Sequence, residues 1–155
     1  MDEDINNQYC DLIDKDLPLN HTFFKYDSEI KIAESFIGLA ISEGKNVDQL
    51  RNIIDILDTL NENLYDSDVK LEDMVRKQLR REDSTWVDIN QKMNDGNRYT
   101  ADLIIASSHL RNAVSYLYEL KNDNDFSEHV NNYQIEYMLK LINRLNNEAI
   151  GDVLL

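Results

Sequence analysis

Few side chains in this 155-residue sequence stand at spacings that do chemistry. Its three histidines, His21, His109 and His129, and its one cysteine, Cys10, are widely separated, and no two histidines lie four residues apart. The spacings that put zinc ligands on one helix face or in one turn are therefore missing. Asp123-Asn124-Asp125-Phe126-Ser127 opens like a calcium loop. Glu128, however, stands at the sixth position, where glycine makes the bend, and Gln134 at the twelfth, where a bidentate Glu is needed. A polar turn leading into a helix cap is the expected reading. Gly38, Gly44, Gly96 and Gly151 are isolated, and no Gly-Lys-Ser/Thr occurs, which excludes phosphate-loop and dinucleotide-binding classes. Residues 28–81 also lack the paired Glu-x-x-Glu with which helical nucleotide hydrolases hold magnesium. Neither a metal nor a cofactor is expected, and the abundant acids read as solvated helix faces.

One segment has a sharper chemical alternative. Ser107-Ser108-His109-Leu110-Arg111-Asn112 places a histidine on a helix, followed by a hydrophobe, a base and an Asn. These six residues resemble the phosphoacceptor box of histidine kinases, which implies phosphotransfer through His109. The sequence departs from that box in two ways: no acid adjoins His109, and no proline follows Asn112. His109 also directly precedes the apolar seam residue Leu110, so a histidine packed against a neighbouring helix is the favoured expectation.

Charge supplies the other candidates. The chain carries 30 acidic and 16 basic side chains, a formal net charge of −14. Residues 1–66 hold 15 acids and 5 bases, whereas residues 67–122 hold 9 of each. Asp11, Asp14 and Asp16 form an acidic cluster expected to steer a basic partner toward the N-terminal part. Arg76, Lys77, Arg80 and Arg81 form the opposite feature, a basic edge with 76/80 and 77/81 one turn apart. Cations near a helix C-terminus that pair with Glu72, Asp73, Glu82 and Asp83 explain it most simply, and an acidic contact is the alternative. The end of the sequence, Ile150-Gly151-Asp152-Val153-Leu154-Leu155, is similar to the short acidic and apolar peptides that some phage and replication proteins insert into a sliding clamp. Val153, Leu154 and Leu155 are accordingly candidate contacts, with folding back onto the last helix as the simpler reading.

The elements that must position these residues are helical. Four glycines and one proline are too few for a sandwich or barrel that turns every few residues. The expected fold is all-α, a bundle of five to six helices. Residues 1–26 read as a loosely ordered acidic arm, residues 27–151 as the bundle and residues 152–155 as a short tail. Helices are predicted over about 28–43, stopped by Gly44; 47–64, started by a capping box of Asn46 and Gln49; 68–81; 85–95; 98–122; and 127–149, closed by Gly151. The 98–122 helix is the expected centre, because Tyr99, Leu103, Ala106, Leu110, Ala113, Leu117 and Leu120 alternate four and three residues apart.

Composition then bounds function. Phosphate binding is carried by Lys and Arg, so a −14 chain is a poor ligand for nucleic acid or an anionic membrane. Its apolar runs fall far short of a membrane span. A lone cysteine and an acidic start without an apolar leader suggest a reducing, cytoplasmic setting. The 18 asparagines fit an AT-rich coding genome such as a phage or virus carries. The expected function is a non-enzymatic protein-interaction module, an adaptor, regulator or inhibitor of a basic protein, in a narrower form an acidic decoy for a nucleic-acid-binding surface. Self-association is also expected, from the apolar width of residues 47–64 and 98–122.

Overall fold

A computed structural model describes residues 6–84, 93–94 and 96–154, with side chains as far as Gly151. Among these residues are a two-stranded antiparallel hairpin, β1 (Asn7–Cys10) and β2 (Lys15–Pro18), and five helices. The helices are α1 (Thr22–Ser42), α2 (Val47–Tyr65), α3 (Asp73–Arg80), α4 (Arg98–Lys121) and α5 (Asn132–Leu154). The fold is an all-α bundle. α1 packs along α4 in the most extensive contact, α4 on α5, α5 on α2 and α2 back on α1, and α3 adds to the outside of α5. Four helices thus close a ring around one core.

The seven seam residues of α4 are all buried, and Leu103, Ala106, Leu110, Ala113 and Leu117 are fully so. Val114 widens the buried face, as a helix packed on two neighbours requires. The apolar stripe of α2 is met inside the chain as well, since Leu50, Ile53, Ile56, Leu57, Leu60 and Leu64 are all buried. Each such side chain contributes roughly 1.5–3 kcal/mol when removed from water. The apolar width expected to drive self-association is therefore taken up by the bundle itself, leaving Tyr65 on α2 and Tyr118 on α4 as their large exposed apolar side chains.

Several boundaries differ from the sequence expectation for identifiable reasons. The arm expected over 1–26 is, in its described part, a hairpin with Cys10, Leu12 and Leu17 buried against the bundle. α1 begins at Thr22, because the His21 side chain caps it by accepting from Phe23 N at 3.0 Å, and Phe23 and Tyr26 extend the stripe of Ile30, Ala33, Ile37 and Ala40. The predicted 68–81 helix starts only at Asp73. Upstream, the backbone is claimed by other partners: Val69 O accepts from Asn63 Nδ2 at 2.6 Å, and Leu71 N donates to Tyr133 Oη at 2.8 Å. Asn63 is itself held by Gln134, whose Nε2 donates to Asn63 Oδ1 at 2.7 Å, and both side chains are buried.

The last helix starts at Asn132 and not at 127, since Phe126 and Val130 turn into the core ahead of it. A capping box sits at this start: Asn131 Oδ1 accepts from Tyr133 N at 2.9 Å, and Gln134 Oε1 accepts from Asn131 N at 2.7 Å. Asn46, predicted for that role, adopts φ 50° without a side-chain cap and donates to Tyr99 Oη at 3.1 Å instead. Gly44 ends α1 as expected, with φ 79°. Gly151 does not close α5, which runs on through Leu154. The predicted 85–95 helix lies outside the described residues apart from Met93 and Asn94, which are helical.

Candidate functional site

The acidic candidates sit on the hairpin. Period-two alternation turns Cys10 and Leu17 into the core and leaves Tyr9 directly opposite Asp16 on the outer face. The four-residue connection buries Leu12 and exposes Asp11 and Asp14. Asp14 takes φ 52°, a conformation that short polar side chains tolerate. The structure thus brings Asp11, Asp14 and Asp16 together on one small unit.

That unit is fixed by bonds to distant parts of the chain. Tyr65, at the end of α2, donates its hydroxyl to Asp11 Oδ1 at 2.8 Å. Tyr9 donates to the Asp14 carboxylate. Lys15 Nζ meets Asp125 Oδ2 at 2.7 Å, tying the hairpin to the α4–α5 connection. His21 Nε2 lies 3.5 Å from Asp123 Oδ2, and its ring packs on Phe126, which also stacks on Phe23. The would-be calcium loop is thereby a turn: Asp123 Oδ1 accepts from Asp125 N at 2.9 Å, and its carboxylates face Lys15 and His21. Among the described residues no group of three or more His, Cys, Asp or Glu is arranged to hold a metal ion.

Apolar side chains surround these carboxylates. Tyr9 (52% exposed), Leu19 (50%) and Tyr65 (49%) are among the most exposed large apolar residues. A cleft of about 330 Å³ opens between Tyr9, Phe24 and Tyr65, with Asp11 and Asp27 also on its wall. A second hollow of about 260 Å³ lies between Leu19, Phe24 and Tyr116. Phe24 borders both, so they form one surface. Burial raises the Tyr65 phenol's pKa first and the Asp11 carboxylate adds to it; at Tyr9 the Asp14 hydrogen bond does most. Both tyrosines therefore stay neutral donors at physiological pH. Cys10 is buried beneath, and burial raises its thiol, so it is no nucleophile.

A further acidic feature extends along α1. Burial, then the hydrogen bond that the protonated Glu34 carboxyl donates to Asp58 of α2, pushes that carboxyl up to about 7, with Asp27 adding repulsion. No sequence spacing announces this pair, because its members come from different helices.

The other candidates are placed differently. His109 Nδ1 lies 2.5 Å from Glu29 Oε2 across the α1–α4 contact, and its ring stacks on Phe36. The acid missing beside His109 in sequence is thus supplied by another helix. On the basic edge, Arg76 pairs with Asp73 one turn back, and the Arg80 guanidinium lies 5.8 Å from the centre of the Tyr137 ring. Lys77 and Arg81 are exposed. Glu82, expected to answer these cations, turns to α5, accepting from Arg144 Nε at 3.2 Å and Asn147 Nδ2 at 2.8 Å. Val153 and Leu154 continue α5 in backbone, their side chains are outside the described set, and Leu155 lies outside it altogether.

No helix among the described residues is long and apolar enough to cross a membrane. A protein-family model described as a domain of unknown function, DUF1940, matches residues 9–151, nearly the whole chain. No curated protein matches it. The match takes in the hairpin from Tyr9 onward together with all but the last turn of the bundle, so both are parts of one family domain.

Proposed function

We propose that this chain, which belongs to the DUF1940 family, is a non-enzymatic docking module that binds a basic protein through its hairpin and the start of α1. The observation that carries the reading is the outward face where half-exposed Tyr9, Leu19 and Tyr65 stand among Asp11, Asp14 and Asp16. Aromatic anchors ringed by one sign of charge suit a partner that brings cations and some apolar surface. Hydrogen bonds from Tyr9 and Tyr65 to the carboxylates hold the rings before any partner arrives, which lowers the entropy lost on binding. Adaptor, regulator or inhibitor roles all use such a face, and a decoy for a nucleic-acid-binding surface is its acidic extreme.

Selection from a random peptide library displayed against the protein tests this. Enriched peptides should be rich in Arg or Lys with an aromatic residue, and their association should slow as salt rises past about 0.1 M, where the Debye length falls below about 10 Å. Enrichment of neutral or acidic peptides would reject the reading.

Phosphotransfer through His109 is the second reading, and Glu29 is the observation in its favour. A carboxylate on Nδ1 holds the proton there and leaves the Nε2 lone pair for attack on phosphorus. Phosphorus NMR after incubation with phosphoramidate tests it: a phosphohistidine signal lost in His109→Gln supports the transfer role, and its absence from the unaltered protein rejects it.

A further inference from the structure

We infer that the cleft between the hairpin, α1 and the end of α2 is the subsite for an arginine side chain of the basic partner, an inference that rests on the docking reading above. Its walls carry four aromatic rings, Tyr9, Phe23, Phe24 and Tyr65, from three different elements. Two carboxylates, Asp11 and Asp27, share the same cleft, and one cation, Lys31, is already held by Asp27 at 2.7 Å. The lining charge is therefore negative, and the aromatic faces add the negative side of their quadrupoles. Such a cleft repels phosphate or carboxylate ligands and attracts a cation.

Its shape chooses among cations. At about 330 Å³ it holds one side chain and not a folded segment. Asp11 has one oxygen taken by Tyr65, and Asp27 has one taken by Lys31, leaving each a remaining oxygen to offer. A planar guanidinium meets separated oxygens through its forked donors while its faces lie on aromatic rings, and it is more weakly hydrated than an ammonium. Lysine would bring a compact, strongly hydrated point charge that makes poorer use of the rings. The carboxylate side of the cleft is supplied by the hairpin turn and α1, and the stacking side by Tyr9 and Tyr65, so charge and ring contributions can be altered separately.

The test is a titration of isotopically labelled protein with three small probes, the N-acetyl amides of arginine, lysine and citrulline, read by NMR. Saturable shifts at Tyr9, Phe24 and Tyr65 are expected with the arginine probe, weaker ones with lysine, and none with citrulline, which keeps the shape but lacks the charge. Asp11→Asn keeps an oxygen for the Tyr65 hydroxyl and removes the charge; Tyr9→Ser removes an exposed ring. Each should weaken the arginine probe about two- to fivefold, the range of one exposed cation–π or ion contact. Shifts that are non-saturating and spread over the acidic surface, equal for citrulline, or unchanged in both variants would overturn the subsite. A library-selected basic peptide that binds the hairpin face while the cleft signals stay unmoved would overturn the subsite alone and leave the docking reading standing.

Discussion

The hairpin with the start of α1 and the basic edge of α3 are both charged surfaces, yet they are built in opposite ways. On the hairpin, charged groups bond across the fold: Asp11 to Tyr65, Lys15 to Asp125, His21 to Asp123. On α3 the cations are served locally, Arg76 by Asp73 one turn away, or lie on a ring, as Arg80 does on Tyr137. The first arrangement fixes the position of charges and aromatic rings relative to the bundle. The second leaves the cations answered one by one along a short helix. A surface that must present a defined pattern to a partner is better made in the first way.

The largest expected effect belongs to the anchor beside α3. The Glu82 carboxylate accepts from Arg144 and Asn147, and its carbonyl accepts from Lys140 and Asn143. Glu82→Ala leaves Arg144, only 13% exposed, without that carboxylate, and should cost about 2–3 kcal/mol in chemical denaturation. An unchanged midpoint would show that α3 is held by Leu79, its apolar contacts and the residue-82 carbonyl, without the carboxylate.

Next comes the pH response of the acidic side. Glu34 titrates near 7 in the fold, above its usual carboxylate value, so the folded state binds the proton more tightly than the unfolded chain. Its stabilising contribution is complete below about pH 4.5 and is lost as pH rises through 7. The melting temperature of the natural chain should therefore fall across that window relative to Glu34→Gln, which has no such proton to lose. Parallel pH profiles for the two would remove the Glu34–Asp58 pair from the account.

How much of this was legible in the sequence depends on where each signal lies. The α4 helix was readable to within a residue, because its seam is a local repeat and Asn97 caps it by accepting from Thr100 N. The hairpin was not: its strands are four residues each, and Ile5, Tyr9, Leu12 and Ile13 also fit a helical stripe. The start of α3 was hidden because the backbone ahead of it is claimed by the Asn63 side chain, six residues before Val69, and by Tyr133, distant in sequence. Asp11, Asp14 and Asp16 stood out as charge, while Tyr9, Phe24 and Tyr65 had no shared spacing to mark them as neighbours. Glu29 could not be paired with His109 for the same reason.

A smaller effect separates the two regions in binding kinetics. Replacing Asp11, Asp14 and Asp16 with Asn should slow association of a selected basic peptide several-fold with little change in dissociation, as charges around an interface act mainly on encounter. Reversing the charges of Lys77 and Arg81 should leave dissociation unaltered, and surface plasmon resonance reads both. Smallest of all is the Lys15–Asp125 pair, half-exposed on both sides and screened by solvent, for which Asp125→Asn should leave the denaturation midpoint nearly unchanged. A larger shift would mean that the hairpin hangs on one bond and not on its buried Cys10, Leu12 and Leu17.

The central claim, that the hairpin face is the docking surface, is tested most directly by hydrogen–deuterium exchange on the complex with the tightest library-selected basic peptide. Protection is predicted over residues 7–31 and around Tyr65, with residues 73–81 unchanged. Protection confined to residues 73–81, or to the outer faces of α4 and α5, would contradict the account.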